Sequence, residues 1–208
     1  MRTLTKEMQS DLSPEMAVQL LKDGNQRFVD NLKLNRNLLQ QINETCDGQY
    51  PFAVILSCID SRTSAELIFD QGLGDIFSCR IAGNILNDDI LGSMEFSCRL
   101  AGSKVIVILG HTKCGAVEGA CQHVKLGNLT ALLDKLRPAI DAATSEKPEC
   151  DLSDAAFMKD VGRLNVHHVI SEIPQRSQVL AEMLKNNEIA LIGGMYDVDT
   201  GKVTFYED

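Results

Sequence analysis

Two short segments of the sequence carry side chains that can bind a metal ion. In "AVILSC", at 53–58, an apolar run ends at Cys58. In "VIVILGHTKC", at 105–114, a similar run ends at His111, and Cys114 follows three residues later. Two thiolates and one imidazole favour zinc, and a site with only three protein ligands keeps one coordination position open for a reaction. The two segments together therefore predict a catalytic zinc site on Cys58, His111 and Cys114.

A carboxylate and a guanidinium follow the first of these thiols. Asp60 lies two residues after Cys58, so an extended backbone would direct both side chains to the same side. Asp60 could coordinate the metal itself or hydrogen-bond a metal-bound water, and Arg62 could hold Asp60 away from the metal by a two-pronged ion pair. The alternative for this pair is a simple surface salt bridge, which would contribute little to stability.

Each segment taken alone has a simpler explanation. A cysteine after an apolar strand is more often a buried core residue than a metal ligand. A single His-x-x-Cys pair arises by chance in many chains, so the agreement of the two segments carries the prediction. The remaining cysteines are expected to be packing or surface thiols; they are Cys46, Cys79, Cys98, Cys121 and Cys150.

The elements that must position these residues can be read from the apolar runs. Residues 52–57, 75–81, 104–109 and 188–194 are continuous enough to predict strands buried on both faces, as in a parallel sheet. Helical patterns separate them, and two short strands around a turn at 199–201 end the chain. We therefore expect an α/β fold: a central, mostly parallel sheet flanked by helices, with a C-terminal antiparallel edge strand. Ligands bind beyond the carboxyl ends of such strands, which places Cys58 and His111 on one edge.

Two helix starts are predicted from capping residues. Ser13 followed by Pro14 is typical of an N-cap and a first-turn proline. Thr63 and Glu66 have the spacing of a capping box for a helix over about 63–70. The first helix precedes any strand, and its apolar stripe needs a surface to cover. That surface could belong to a second subunit, and we expect residues 1–35 to form an N-terminal helical arm within a single domain spanning 1–208.

Composition excludes some functions. The chain has 208 residues, of which 44% are hydrophobic and 24% charged, as in an ordinary globular protein. Its net charge of −9 argues against a nucleic-acid partner, which would need clustered Lys and Arg. The first residues lack the apolar core of a signal peptide, and no run approaches the roughly 20 apolar residues that span a bilayer. A cytoplasmic protein without a membrane partner is expected.

The paired motifs resemble those of the β-class carbonic anhydrases. The resemblance rests on "CIDSR" at 58–62 followed about fifty residues later by "HTKCG" at 111–115. It extends over most of the chain, through "GNQRF" at 24–28, "RIAGNI" at 80–85, "GSMEFS" at 92–97, "LGHTKCGAV" at 109–117 and "GGMYDVDTGKV" at 193–203.

This resemblance implies an activity and a role for each site residue. One zinc per chain would lie on Cys58, His111 and Cys114, with Asp60 and Arg62 as a catalytic dyad. The reaction would be the reversible hydration of carbon dioxide to bicarbonate and a proton, by attack of zinc-bound hydroxide. The resemblance also implies a homodimer or homotetramer in which the N-terminal arm at 1–35 packs across the dimer interface. Two alternatives stay open: hydrolysis of carbon disulfide or carbonyl sulfide, and a non-catalytic zinc protein in which Asp60 closes the metal shell as a fourth ligand.

Two further expectations follow from the family. The backbone N–H of Gly115 would bind bicarbonate or the developing oxyanion, although a glycine required by a tight turn is the alternative. Some bacterial members bind regulatory bicarbonate through a Trp, an Arg and a Tyr. Arg80 and Tyr196 lie where the last two could stand, but Ile55 occupies the place of the Trp, so this regulatory site is not expected here.

Overall fold

The computed structural model describes residues 3–147, 149, 151–152 and 154–206. Five strands form one sheet in the order β2-β1-β3-β4-β5. The first four are parallel, and β5 runs antiparallel to β4 at the edge. The strands are Ala53–Ser57 (β1), Ile76–Arg80 (β2), Val105–His111 (β3), Ala190–Tyr196 (β4) and Val203–Phe205 (β5). The predicted fold class, with its antiparallel edge strand, is confirmed.

The helices cover both faces of the sheet and its carboxyl end. They are Lys6–Ser10 (α1), Pro14–Val29 (α2), Leu38–Thr45 (α3), Ala65–Ile68 (α4), Asp88–Glu95 (α5), Gly115–Cys121 (α6), Gly127–Leu133 (α7), Arg137–Glu146 (α8), Ala155–Arg176 (α9) and Gln178–Lys185 (α10). A π-helical turn at Phe96–Leu100 extends α5. Within the described ranges, no helix combines the length and the apolar character needed to cross a bilayer.

Alternate residues of the central strands enter two hydrophobic cores. Ile55 and Val107 pack on the face that carries α2 and α4, whereas Val54 and Ile106 pack on the face that carries α9 and α10. Every residue of β1 and β3 is buried, which explains why their sequences are continuously apolar. Because these strands are parallel neighbours, their carboxyl ends lie at the same edge of the sheet.

The N-terminal arm packs against other segments of the same chain. Ser13 caps α2 by accepting a hydrogen bond from the backbone N–H of Met16, as predicted. Ala17 and Leu21 are fully buried, while Gly24 lies so close to the carbonyl oxygen of Phe69 that a Cβ would be 1.9 Å from it. The part of the stripe formed by Ala17, Leu21 and Gly24 is therefore covered without a second subunit. Contact of the arm with a partner subunit stays a prediction.

The capping-box prediction at 63–66 was wrong. Ser64 is the N-cap of the short helix α4, and it makes no side-chain capping bond. The hydroxyl of Thr63 is instead 2.9 Å from the carbonyl oxygens of both Cys58 and Asp60. Glu66 accepts hydrogen bonds from Ser64 and Ser78. A buried hydroxyl satisfies the nearest free acceptors, and here these belong to the preceding loop rather than to the helix.

Candidate metal centre

Three predicted ligands converge at the carboxyl end of the sheet. Cys58 directly follows β1, His111 is the last residue of β3, and Cys114 is the N-cap of α6. One ligand atom from each residue lies within 4.8 Å of the other two, and the two Sγ atoms are 4.0 Å apart. All three side chains are buried. The structure thus gathers two thiols and an imidazole from three separate elements.

The imidazole of His111 is oriented for binding a metal ion. Its Nδ1 lies 2.9 Å from the carbonyl oxygen of Thr112. Because a carbonyl can only accept, Nδ1 must carry the proton, and this leaves a lone pair on Nε2. Nε2 is buried and has no hydrogen-bond partner among the described residues. A buried polar atom without a partner is costly, and a metal ion held with the two thiols would satisfy it.

The electrostatics of the two thiols also fit a cation. The pKa of Cys58 is lowered to about 4, chiefly by its hydrogen bond with Cys114; burial opposes this shift, and the backbone N–H groups of Asp60 and Gly83 add to it. The same pairing raises the pKa of Cys114, and burial adds to this increase. Without a cation the pair therefore keeps one proton between them. A divalent ion would favour ionisation of both thiols, as metal ligation requires.

Asp60 and Arg62 form a two-pronged ion pair beside these ligands. Arg62 Nε donates to Asp60 Oδ1 at 2.9 Å and Nη2 donates to Oδ2 at 2.7 Å, while the backbone N–H of Arg62 also reaches Oδ1. The hydrogen bonds from Arg62 hold the pKa of Asp60 well below its usual range, although partial burial opposes this shift. Asp60 is thus ionised and directed toward Arg62. The Arg62 side chain is 48% exposed.

Comparison with known proteins identifies the family. The family described as carbonic anhydrase matches residues 53–203, which include all three candidate ligands and the Asp60–Arg62 pair. The chain belongs to the carbonic anhydrase family. A curated relative, carbonic anhydrase 2 of Mycobacterium tuberculosis, is 31% identical over 198 residues, which cover 91% of each chain.

Solved structures place the chain in the β-class of the carbonic anhydrase family. A β-carbonic anhydrase of the fungus Aspergillus fumigatus superposes with a TM-score of 0.74 at 28% identity, covering 81% of both chains. A shorter match joins 117 residues, about half of each chain, to the carbon disulfide hydrolase of Acidithiobacillus thiooxidans at 29% identity. The resemblance drawn from the paired motifs is confirmed.

Gly115 is the first residue of α6 and directly follows the ligand Cys114. Its φ is not positive, and no atom lies within 4 Å of the position that a Cβ would occupy. Neither backbone conformation nor crowding in this structure therefore requires a glycine. The open space beside its backbone agrees with an anion-binding role for a carbonic anhydrase, and that role stays a prediction.

Several supporting contacts of this carbonic anhydrase site were not anticipated from its sequence. Arg80 donates from Nε to the carbonyl oxygen of Cys58 at 3.1 Å and from Nη2 to that of Asp60 at 2.6 Å. The backbone N–H of Gly83, whose φ is +67°, points at the Sγ of Cys58 at 3.4 Å. The pairing of Ser57 with Arg80 in the parallel register puts Arg80 beside this loop, and a register assigned from sequence could have found it.

The other cysteines stay apart from the metal centre. Cys98 is buried, which raises the pKa of its thiol to about 12, and Cys79 is half-buried with a raised pKa for the same reason. Cys46 is exposed and Cys121 is buried. In the part of the chain that the structure describes, only Cys58, His111 and Cys114 form a group able to hold a metal ion. Cys150 lies outside the described residues.

Proposed function

We propose that this chain catalyses the reversible hydration of carbon dioxide to bicarbonate and a proton, with one zinc ion held by Cys58, His111 and Cys114. The observation that carries the proposal is the buried Nε2 of His111, which has no hydrogen-bond partner among the described residues and lies together with two thiols beside an ionised carboxylate. Zinc, when bound there, supplies a Lewis acid that makes hydroxide available near neutral pH.

Because of the charge of the ligand set, the neighbouring residues contribute more to catalysis. Two thiolates and a neutral imidazole carry two negative charges, so this ligand set neutralises a divalent cation. A neutralised ion attracts electrons less strongly than an ion held by three imidazoles. Orientation of the attacking water by Asp60 is therefore an important part of the proposed mechanism.

Asp60 is suited to orient a water molecule. Its Oδ2 accepts one hydrogen bond, from Arg62 Nη2, among the described residues, and a carboxylate oxygen can accept a second. A water donating to Oδ2 would have its lone pair directed away from Asp60. Because its pKa is lowered, Asp60 does not store the proton released in the reaction. We propose that this proton passes to solvent or buffer.

Arg62 keeps Asp60 available for this role. A carboxylate engaged by two guanidinium donors is not free to become the fourth metal ligand. This pair argues against the non-catalytic alternative, in which Asp60 permanently closes the shell. Hydrolysis of carbon disulfide remains the second candidate, since a partial relative bears that name. The same ligand set would serve both reactions.

The test is stopped-flow measurement of carbon dioxide hydration by zinc-assayed protein at about pH 8.5. Fast hydration with about one zinc per chain is expected, and Cys58→Ser should lose both zinc and activity. Cys46→Ser is the matched control, because it removes an exposed thiol outside the metal centre and should change neither. A protein with full zinc and no hydration would contradict the proposal, and turnover of carbon disulfide would then favour the second candidate.

We further propose that the functional unit is a homodimer or homotetramer. Met8, Met16 and Leu20 remain exposed on the first two helices and line an apolar groove of about 350 Å³ with Leu4 and Leu12. Apolar surface of this kind is what a partner subunit covers. The molar mass in solution, measured by light scattering after gel filtration, tests this. A mass equal to one chain at micromolar concentration would contradict it.

A further inference from the structure

Lys113 occupies a special place in the loop between two candidate metal ligands, His111 and Cys114. Its φ is +55°, a left-handed backbone conformation that residues other than glycine rarely adopt. Its carbonyl oxygen accepts a hydrogen bond from Nη2 of Arg62 at 3.3 Å. The backbone of Lys113 therefore contacts the same guanidinium that holds Asp60.

The side chain of Lys113 pairs with a second carboxylate close to Arg62. Its Nζ lies 2.6 Å from Oδ1 of Asp199, which belongs to the turn between β4 and β5. Asp199 is near enough to Arg62 for its negative charge to raise the pKa of the guanidinium, after the larger contribution of Asp60. Asp60 therefore holds this arginine directly, Asp199 acts on it from farther away, and a lysine neutralises Asp199.

Asp199 is the less constrained of the two carboxylates in this turn. Asp197, in the same turn, uses its Oδ1 to accept the backbone N–H groups of Asp199 and Thr200, which fixes its side chain in place. The side chain of Asp199 pairs with Lys113 alone among the described residues. Arg62 in turn has a spare donor, because its Nη1 contacts no partner within the same part of the chain.

We propose that Lys113 is a positioning residue that neutralises Asp199 and so prevents Asp199 from drawing Arg62 away from Asp60. This proposal rests on the proposed function, since it concerns how Asp60 is kept ready for catalysis. Lys113 acts through Arg62 and touches no reacting atom. Loss of the lysine would leave Asp199 without its cation beside an arginine that is half exposed and able to turn.

Three variants test this in zinc-loaded protein. Lys113→Met keeps the length of the side chain but removes its charge, and we expect kcat/KM for carbon dioxide hydration to fall about two- to fivefold, the range for exposed ion pairs. Asp199→Asn should stay close to wild type. The double variant should regain the wild-type rate, because the competing carboxylate is gone. Lys147→Met, which breaks the exposed pair with Asp160 elsewhere, is the matched control and should have no effect.

A merely structural role for Lys113 predicts the opposite result for the double variant. If the lysine only braced the loop through Asp199, Asp199→Asn alone would already slow the enzyme, and the double variant would be no faster than Lys113→Met. Either of these outcomes, or a wild-type rate in Lys113→Met, would overturn the proposal.

Crystal structures supply a readout that does not depend on turnover. In Lys113→Met the guanidinium of Arg62 should be divided between Asp60 and Asp199, and in the double variant it should be wholly on Asp60. An Arg62 that stays wholly on Asp60 in Lys113→Met would overturn the proposal whether or not the wild type hydrates carbon dioxide. Failure of the proposed function would instead show as an inactive wild type, and the two failures can therefore be told apart.

Discussion

Two carboxylate–arginine clusters in this chain differ in burial. Asp70 is paired with Arg27 and Arg36; its side chain is 2% exposed, and that of Arg36 is 9% exposed. Within the described part of the chain Asp60 is paired with Arg62 alone, and the corresponding exposures are 17% and 48%. The same chemical groups therefore form an enclosed cluster in one region and an open pair in the other.

The Asp70 cluster is held from several directions. Oδ2 accepts hydrogen bonds from Arg27 Nε and from the backbone N–H of Leu34, and Arg36 donates both to Oδ1 and to the Asp70 carbonyl oxygen. These contacts join α2 and the segment after it to the end of α4. A buried cluster of this kind, in which both carboxylate oxygens accept hydrogen bonds, ties elements together and does not release its carboxylate.

The difference shows what makes an ion pair usable in catalysis. Asp60 has one arginine, and that arginine reaches solvent, so the pair can open at little cost. Asp70 would leave a charge in the interior if either arginine turned away. Both carboxylates are paired with arginine. The exposure of the arginine is what distinguishes the Asp60 pair, which can position a catalytic group, from the Asp70 cluster, which stabilises the fold.

The largest effect is expected from breaking the enclosed cluster. Arg36→Met keeps most of the apolar stem but leaves Asp70 buried with one arginine, and we expect a loss of about 3 kcal/mol in the free energy of unfolding. Urea unfolding measures this. Arg99→Met is the control, because its partner Glu188 is exposed and 3.6 Å away, and it should cost at most about 1 kcal/mol. Equal losses of unfolding free energy in Arg36→Met and Arg99→Met would show that burial does not determine the cost of breaking these ion pairs.

A matched change in the open pair should affect activity instead. Arg62→Met releases Asp60, and we expect kcat/KM to fall about 10- to 100-fold, as is usual when a residue behind a metal site is removed. The free energy of unfolding should change by less than about 0.5 kcal/mol, because Arg62 is exposed. Measurements of kcat/KM and of urea unfolding on the same preparation check these two expectations. Full activity in Arg62→Met would remove the dyad from the mechanism.

Local chemistry was the predictable part of this molecule. Continuous runs of apolar residues predict strands β1 and β3. Cys58 and His111 come at the ends of these runs, which predicts that both lie at the site. Parallel pairing then brings them together without further information. Asp60 lies two residues from Cys58, so its position beside the site could also be predicted from the sequence.

Contacts between distant segments were not predictable in this way. Asp70 meets Arg27 and Arg36 across 43 and 34 residues of sequence, and no spacing in the sequence connects either arginine with Asp70. Thr63 had the spacing of a capping residue, but its hydroxyl bonds to the preceding loop, where two carbonyl oxygens lie closer. Such choices depend on which polar groups the folded chain brings together, and spacing alone does not contain that information.

Acid should produce the smallest and most specific of these differences. Burial by itself would raise the pKa of Asp70, but the hydrogen bonds from Arg27 and Arg36 outweigh it and lower the pKa below the ordinary value of about 4. A lowered pKa in the folded state means that the stabilisation is present above the unfolded pKa and is lost as pH falls through the folded pKa. The excess stability of wild type over Asp70→Asn should therefore shrink as the solution is acidified below about pH 4.

Urea unfolding of the two proteins at a series of pH values measures this difference. Loss of metal at low pH affects both proteins alike, so it cancels in the comparison. Glu188→Gln provides the contrast, because its carboxylate is exposed and lies 3.6 Å from an exposed arginine, and the difference in stability between this variant and wild type should be small at every pH. A gap for Asp70→Asn that stayed constant into acid would mean that the Asp70 contacts act through shape and not through charge, and the two clusters would then differ in packing alone.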